Sequence, residues 1–216
     1  MANDEEEHVV LVDVEDMELG SAPKLDAHRK GLLHRAFSVF LLDRDGRILL
    51  QQRAASKYHS PGRWSNTCCG HPRRGEATVV AARRRLGEEM GILCEIERAG
   101  SFLYRAAVAP DLIEHEFDHV LIGHFDGEPT PNQEEVSAWR WEFPHLIAED
   151  LAVHQDAYSV WLSPALRVLS QCLPWVSSPP EEASVRACES DATREALAEL
   201  RYFRGGMTPS SAVPDR

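Results

Sequence analysis

The sequence lacks any apolar stretch long enough to span a bilayer, and no signal-peptide core follows Met1. We therefore expect a cytoplasmic protein with no membrane partner. An excess of basic residues is also lacking, since 35 acidic and 23 basic residues give a formal net charge of −12. Because a nucleic-acid binder needs a basic face to neutralise phosphates, we expect no nucleic-acid partner.

Cysteines are few and irregularly spaced, at positions Cys68, Cys69, Cys94, Cys172 and Cys188. Their odd number does not suggest a disulfide framework. The adjacent pair Cys68 and Cys69 is a poor disulfide candidate, because a bond between vicinal cysteines is geometrically strained. This usage fits a reducing cytoplasm.

The 216 residues, 43% of them hydrophobic, are enough for one substantial core with accessory elements. Apolar periodicity and turn residues predict a hairpin of strands at 36–42 and 47–52, a loop at 53–75, a helix at 76–90, strands at 94–107, 116–126 and 139–143, and helices at 144–151 and 156–173. We therefore predict an α/β fold of the α+β sandwich kind, with a mixed β-sheet flanked by helices.

The character of the sequence changes after residue 173. We predict a single domain at 1–173, followed by a Pro- and Ser-containing linker at 174–189. An amphipathic pattern predicts an accessory helix at 190–204, which ends at Gly205-Gly206. The remaining residues, 205–216, have the composition of a disordered tail.

Basic residues are concentrated in the first half of this acidic chain, at Lys24, Arg29, Lys30, Arg35, Arg53, Lys57, Arg63, Arg73, Arg74, Arg83, Arg84 and Arg85. An acidic protein with one basic neighbourhood can still bind a small and highly charged anion.

The segment from Gly70 to Ile92 resembles the Nudix box, whose pattern is G-x5-E-x7-R-E-U-x-E-E-x-G-U with U apolar. Eight of the nine specified positions match, namely Gly70, Glu76, Arg84, Leu86, Glu88, Glu89, Gly91 and Ile92. Glutamates along one helix face offer hard oxygen ligands for Mg²⁺, which in turn holds a diphosphate. The alternative is a charged surface helix with Glu–Arg pairs four residues apart.

The one mismatch is Arg85, which stands where the box has a glutamate that is a principal metal ligand in hydrolysing members. A positive charge there repels Mg²⁺. Arg85 and Glu89 are four residues apart on one helix face, so the pair offers one carboxylate to a metal and one guanidinium to diphosphate oxygens. Such a site is better suited to holding a diphosphate than to cleaving it.

Candidate ligands for a second metal are dispersed along the chain, at His28, His34, His71, Glu114 and Glu116. Each is weak by itself, and the spacings match no compact zinc motif. Glu114 and Glu116 would share one face of a strand, where a metal would relieve their repulsion. Six further histidines could have no part in metal binding, namely His59, His115, His119, His124, His145 and His154.

Four separated stretches resemble the type 1 isopentenyl-diphosphate isomerases, which have a Nudix-like fold. They are HRKGLLHRAFSVF at 28–40, WSNTCCGHP at 64–72, YRA at 104–106 and EHE at 114–116, within a similarity that covers about 11–169. The family moves a double bond of isopentenyl diphosphate to give dimethylallyl diphosphate. The resemblance implies this activity, with the C5 diphosphate as the small-molecule partner. We expect the protein to be a monomer or a homodimer.

The resemblance also implies roles for single residues. Cys69 and Glu116 match the family's two acid/base residues, and Tyr104 matches the tyrosine that hydrogen-bonds the glutamate. The implied ligands of one Mn²⁺ or Zn²⁺ are His28, His34, His71, Glu114 and Glu116. Glu89 and the backbone carbonyl of Cys69 match the ligands of one Mg²⁺. The implied substrate-binding residues are Lys24, Arg53, Lys57, Arg85 and Trp161.

Plainer interpretations of these residues remain open. Cys69 could be a small buried hydrophobic residue, and Trp161 could be an ordinary core aromatic on its predicted helix. Cys68 points away from Cys69 if the segment is extended, so we assign it no catalytic role. Two other functions also remain, a Nudix hydrolase of a nucleoside or prenyl diphosphate and a non-enzymatic diphosphate- or metal-binding regulator.

Overall fold

The computed structural model describes residues 7–173. The predicted linker, accessory helix and tail at 174–216 therefore lie outside the described residues. The elements run in the order β1 (His8–Val12), β2 (Glu18–Pro23), α1 (Lys24–Lys30), β3 (His34–Leu42), β4 (Ile48–Arg53), β5 (Trp64–Ser65), β6 (Cys68–Gly70), α2 (Thr78–Met90), β7 (Ile96–Ala109), β8 (Leu112–His124), β9 (Val136–Glu142), α3 (Pro144–Val153), a 3-10 turn (Gln155–Ala157) and α4 (Leu162–Cys172).

Strand β3 is at the centre of a mixed sheet. It pairs in parallel with β8, from His34 opposite Glu116 to Leu42 opposite His124. On its other edge it pairs antiparallel with β6, where Ser38 lies opposite Cys69. The β1–β2 and β7–β8 hairpins extend the sheet, and β4 carries β5 and β9. The expected mixed sheet flanked by helices is confirmed.

The alternating side chains of β3 separate two hydrophobic clusters. Phe37, Val39 and Leu41 face one cluster, in which α2 contributes Leu86 and Met90. The second cluster lies around Phe40 and Leu42 of the same strand and includes the buried residues of α4, Leu162, Ala165 and Leu169. Complete burial of each large apolar side chain stabilises the fold by about 1.5–3 kcal/mol, so β3 is fixed from both faces.

Helix α2 has a sharply defined end. Gly91 adopts φ +66°, the left-handed conformation that terminates helices, and its N–H donates to the carbonyl of Gly87. A β-carbon added at Gly91 would lie 2.1 Å from Oγ1 of Thr130, so only glycine fits. The helix begins at Thr78 rather than at residue 76, because the backbone of Ala77 is extended, with φ −66° and ψ 139°. The Glu76 carboxylate accepts hydrogen bonds from the backbone of Arg73 and from Arg84.

The hairpin of β3 and β4 is confirmed, and the later strands and α3 agree with the prediction within a few residues. The expected unstructured loop at 53–75 is wrong in part, because it contains β5 and β6, which pair with β4 and β3. Strands of two and three residues are too short to show an alternating pattern. Strands β1 and β2 and helix α1 were not predicted.

The predicted helix at 156–173 is wrong in its first part. A 3-10 turn occupies Gln155–Ala157, and α4 begins only at Leu162. Pro164 explains the late start, because proline has no N–H and is tolerated only in the first turn of a helix. Trp161 therefore precedes α4 instead of lying within it. No helix among residues 7–173 is long and apolar enough to cross a membrane.

Candidate active site

A cavity of about 670 Å³ opens beside β3, β6, α2 and β8. Eleven of the predicted site residues line it: Lys24, Arg53, Lys57, Cys69, His71, Arg85, Glu89, Tyr104, Glu114, Glu116 and Trp161. The remaining two, His28 and His34, are not among the lining residues and are fully buried. One cavity thus collects residues that are dispersed over nearly 140 positions of the sequence.

Strand register explains much of this convergence. Glu114, Glu116 and Asp118 alternate along β8 and point to one face, where each is at most 5% exposed. The parallel pairing of β3 with β8 sets His34 opposite Glu116. On the other edge of β3, Cys69 of β6 is half-buried beside the cavity, while Cys68 is fully buried in the α2 cluster. The expectation that the two cysteines point apart is confirmed.

Four of the predicted ligands form one group, in which the ligand atoms of His28, His34, His71 and Glu116 lie within 4.8 Å of one another. Oε1 of Glu116 is 2.9 Å from Nε2 of His71 and 3.5 Å from Nε2 of His34. This group could hold a metal ion.

The ring orientations of two histidines fit metal ligation. Nδ1 of His28 lies 2.7 Å from the carbonyl of Lys24, and Nδ1 of His34 lies 2.8 Å from the carbonyl of Leu32. Because a carbonyl only accepts hydrogen bonds, these contacts put the proton on Nδ1 and leave a lone pair on Nε2. Both Nε2 atoms are buried without a hydrogen-bond partner among the described residues. Buried acceptors of this kind suit a divalent cation.

Glu114 belongs to a second, overlapping group with His28 and His59. Its Oε1 lies 3.6 Å from Nε2 of His28 and 3.1 Å from Nε2 of His59. The five expected ligands are thus divided between two groups that share His28. His59 was grouped with possible bystanders in the sequence, and the structure instead places it at the site. Its only sequence signal was its position two residues after Lys57.

The two carboxylates on β8 differ in their surroundings. Tyr104 donates its hydroxyl to Oε2 of Glu116 at 2.7 Å and more weakly to Oε2 of Glu114 at 3.2 Å. Burial and the neighbouring charge of Glu116 raise the pKa of Glu114. A cation bound between these groups would compensate that repulsion.

Cys69 lies close to a positive charge, with Sγ 3.8 Å from Nη1 of Arg53. Burial nevertheless raises the pKa of the Cys69 thiol to about 12, because the attraction of Arg53 only partly offsets the desolvation of a thiolate. At neutral pH the thiol therefore keeps its proton. Arg53 in turn lies over the ring of Trp161, with Cζ 5.3 Å from the ring centroid.

Trp161 is only 3% exposed, and its Nε1–H donates to Oδ1 of Asn66 at 3.0 Å. The ring is therefore held in one orientation at the wall of the cavity. This placement combines the two interpretations made from the sequence, since the side chain is packed like a core residue and still faces the site.

The expected pairing on α2 is present, with Nη2 of Arg85 2.5 Å from Oε1 of Glu89. Arg85 also contacts Glu88 at 2.7 Å and Glu135 at 3.3 Å. Gln51 donates to the second oxygen of Glu89 at 2.9 Å. Arg85 thus contacts three carboxylates.

Glu135 and Glu7 are two acidic residues at the site that the sequence did not reveal. Glu135 forms ion pairs with both Lys57 and Arg85. Although burial alone would raise it, these two positive charges lower the pKa of Glu135 to about 2. Glu7 lies 2.8 Å from Nζ of Lys24. Neither acidic residue belongs to a recognisable motif, so only the folded arrangement reveals them.

Comparison with known proteins identifies the family of this chain. The family model described as the NUDIX domain matches residues 32–162. A Burkholderia multivorans protein is 54% identical over 72% of this chain and 89% of its own length. A Serratia proteamaculans protein is 51% identical over 72% of this chain and 87% of its own. A Nocardia farcinica protein is 48% identical over 74% of this chain and 93% of its own length. All three are named isopentenyl-diphosphate Delta-isomerase.

Solved structures agree in fold. A Deinococcus radiodurans crystal structure has a TM-score of 0.63 at 24% identity, over 77% of this chain and 99% of that one. The MutT protein of Methanosarcina mazei has a TM-score of 0.53 at 14% identity, over 64% of this chain and 94% of that one. These identities are too low to say more than that the fold is shared. The relatives of about 50% identity say more: the chain belongs to the NUDIX domain family and, within it, to the isopentenyl-diphosphate Delta-isomerases.

Proposed function

We propose that this protein is an isomerase that converts isopentenyl diphosphate to dimethylallyl diphosphate. The observation that carries the proposal is that Cys69 and Glu116 line the same cavity, beside a group of residues that could hold a metal ion and several basic side chains. The two residues come from β6 and β8, which lie on opposite edges of β3. The names of relatives that cover most of this chain support the same reaction.

The reaction needs two proton carriers. A proton is added to C4 of the substrate, a tertiary carbocation forms, and a proton leaves C2. An unactivated alkene is a poor base, so the acid must be placed close to it. Cys69 carries a proton at neutral pH, and Glu116 is held by Tyr104 and by the histidine group. We assign the two proton transfers to these residues, and the direction of the reaction decides which of them donates.

The diphosphate end of the substrate requires positive charge. We assign its binding to Lys24, Arg53, Lys57 and Arg85, all of which line the cavity. Guanidinium groups suit this role because their fork of N–H donors matches phosphate oxygens. Glu89 and the backbone carbonyl of Cys69 would hold one Mg²⁺, which would neutralise part of the diphosphate charge. A diphosphate that enters would replace the carboxylates that now surround Arg85 and Lys57.

The histidine and glutamate residues would hold a second divalent ion, for which we propose Mn²⁺ or Zn²⁺. The inward lone pairs of His28 and His34 support a resident cation. When bound, such an ion would hold one oxygen of Glu116 and leave the other to the proton transfer. Tyr104 donates its hydroxyl to that second oxygen, Oε2, and so orients it.

Trp161 and burial would protect the reacting centre. A cation–π interaction of roughly 0.5–2 kcal/mol between the tryptophan ring and the carbocation favours the intermediate over its neutral precursors. Exclusion of water matters too, because the carbocation and the allylic product are both open to solvolysis. The fixed orientation of the Trp161 ring supports this assignment.

We also propose a cytoplasmic location and a small-molecule substrate, without a nucleic-acid or membrane partner, for a monomer or homodimer. The net charge of −12 is unfavourable for binding nucleic acid. The few, irregularly spaced cysteines of the sequence support a reducing compartment.

The decisive experiment is incubation with isopentenyl diphosphate, Mg²⁺ and either Mn²⁺ or Zn²⁺ in heavy water. Dimethylallyl diphosphate that carries solvent deuterium is the expected product, because the added proton comes from an exchangeable group. A Nudix hydrolase would instead release phosphate or a monophosphate without moving the double bond. Release of that kind, or the absence of both isomer and deuterium with metals present, would overturn the proposal.

A further inference from the structure

His59 lies in the segment between β4 and β5, away from the motifs that relate this chain to the isomerases. The residue is 6% exposed, and its Nε2 is 3.1 Å from Oε1 of Glu114. The ring centroid is 5.9 Å from that of His28. His59, His28 and Glu114 thus offer three buried ligand atoms within 4.8 Å of one another.

We infer that His59 is a fourth imidazole of the metal centre and binds a divalent transition-metal ion together with His28 and Glu114. The inference rests on the metal site of the proposed function, but it does not depend on the isomerisation. It assigns His59 a role that neither motif spacing nor the family resemblance gives it.

The first argument is the arrangement of lone pairs. The carbonyl of Lys24 fixes the proton of His28 on Nδ1, so its Nε2 faces Oε1 of Glu114 at 3.6 Å as an acceptor facing an acceptor. Nε2 of His28 has no hydrogen-bond partner among the described residues. Two acceptors that face each other in a buried space are stabilised by a cation between them.

The second argument is distance. Donor atoms about 2.0–2.2 Å from one metal ion and at neighbouring coordination positions lie roughly 3.0–3.5 Å apart. The contact of Glu114 Oε1 with His59, at 3.1 Å, falls within this range, and its contact with His28, at 3.6 Å, lies just above it. The contacts of Glu116 Oε1 with His71 and His34 have similar lengths, 2.9 and 3.5 Å. The distance from His59 Nε2 to Glu114 Oε1 is therefore close to the distance from His71 Nε2 to Glu116 Oε1.

The third argument is that the ring of His59 is held in place. Arg53 donates from Nη2 to the carbonyl of His59 at 3.2 Å. The ring packs edge-on against Tyr58 and Trp161, at centroid distances of 4.4 and 6.1 Å. The next residue, Ser60, adopts φ +48°, which residues other than glycine rarely do. Backbone strain of this kind is retained where the surrounding structure fixes a functional geometry.

A fourth imidazole has a consequence for the choice of metal. Imidazole nitrogen suits zinc, cobalt and nickel better than magnesium, which prefers oxygen ligands. His59 should therefore raise the affinity of the centre for Co²⁺ and Zn²⁺ more than its affinity for Mg²⁺.

The test measures Co²⁺ binding to the full, metal-free chain without substrate. Calorimetry gives the affinity, and visible absorption reports the cobalt coordination. His59→Asn should weaken Co²⁺ binding at least about tenfold and change the cobalt absorption bands, because the number of nitrogen ligands falls. His124→Asn, the same substitution at an exposed histidine of β8, should match the wild type in both readouts. Melting of the metal-free proteins checks that each variant is folded.

X-ray absorption of the cobalt-loaded wild type gives a readout that needs no variant. A fit with four imidazoles supports the inference, whereas a fit with three overturns it. Unchanged affinity and spectrum in His59→Asn would also overturn it. Weaker binding with an unchanged spectrum would remove His59 from the ligands and make it a positioning residue for Glu114. A wild type that binds no Co²⁺ would overturn the metal site itself, while deuterium incorporation tests the isomerase separately.

Discussion

The two oxygens of the Glu116 carboxylate face different partners, and the Tyr104 hydroxyl is hydrogen-bonded to Oε2 at 2.7 Å. Oε1 faces Nε2 of His71 at 2.9 Å and Nε2 of His34 at 3.5 Å. One side chain can therefore serve a metal with one oxygen and a proton with the other. Tyr104 is the group that separates these roles, because it occupies and orients the oxygen on the proton side.

Replacement of Tyr104 by phenylalanine tests this separation. A hydrogen bond to a charged group contributes about 1.5–3 kcal/mol, and each 1.36 kcal/mol on the barrier is tenfold in rate. Tyr104→Phe should thus lower kcat roughly tenfold to hundredfold and leave KM nearly unchanged. Steady-state kinetics with isopentenyl diphosphate measures both constants.

The matched control is Tyr158→Phe. This hydroxyl also donates to a carboxylate, that of Asp150 at 2.5 Å, but Tyr158 is not among the residues that line the cavity. Its loss should affect stability and not kcat. Equal kcat values for Tyr104→Phe and the wild type would contradict the role given to Tyr104.

Cys69 and Cys94 allow a second comparison. Cys69→Ala removes a proton carrier from the cavity, so turnover should fall by at least three orders of magnitude, within the range of general acid–base catalysis. Cys94→Ala removes a half-buried thiol that does not line the cavity, and its turnover should match the wild type. The rate of deuterium incorporation measures the effect.

A regulator that only binds diphosphate would not need the Cys69 thiol. Cys69→Ala should therefore still bind inorganic diphosphate, because the basic side chains remain. Calorimetry measures this binding. Full turnover in Cys69→Ala would exclude Cys69 from the chemistry.

Local periodicity made part of the site predictable. The opposite directions of Cys68 and Cys69 follow from the two-residue repeat of a strand, and the Arg85–Glu89 pair follows from the helix repeat. The hairpin, α2 and its end at Gly91 were predicted for the same reason, since each depends on neighbours in sequence.

Contacts between distant segments were not predictable in this way. His59 meets Glu114 across 55 positions, and Glu135 meets Lys57 across 78, so no spacing rule connects either pair. The division of the expected ligands into two groups depends on side-chain orientation, which composition does not encode. Trp161 was predicted to lie within a helix because the apolar pattern continues through it. The pattern does not show that Pro164 must lie in the first turn, so that α4 begins only after Trp161.

Arg85 provides the third prediction. Arg85→Gln removes a guanidinium from the diphosphate end, so KM for isopentenyl diphosphate should rise about tenfold to hundredfold, the value of one or two charge-assisted hydrogen bonds. The effect on kcat should be smaller, because the proton carriers are untouched. Arg83→Gln, on the same helix but paired with Glu95 away from the cavity, should leave both constants unchanged. An unchanged KM in Arg85→Gln would count against the role of Arg85.

Metal removal should lower the stability of the fold as well as its activity. A ligand that binds only the folded state at a hundred times its Kd stabilises it by about 2.7 kcal/mol. For a domain of this size, each kcal/mol raises Tm by roughly 2–4 °C. Saturation of the metal-free protein with Mn²⁺ or Zn²⁺ should therefore raise Tm by about 5–10 °C, and excess chelator should reverse the rise.

The group formed by His28, His34, His71 and Glu116 predicts which substitution removes the increase in Tm on metal binding. In His34→Asn the metal-dependent increase in Tm should largely disappear, because His34 is buried and its inward Nε2 is one of four ligand atoms in the group. The increase itself is compared, and not the absolute Tm, since the substitution also alters packing around β3. His154→Asn, at an exposed histidine paired with Asp150, should retain the full increase. An undiminished increase in His34→Asn would place the stabilising ion elsewhere in the protein.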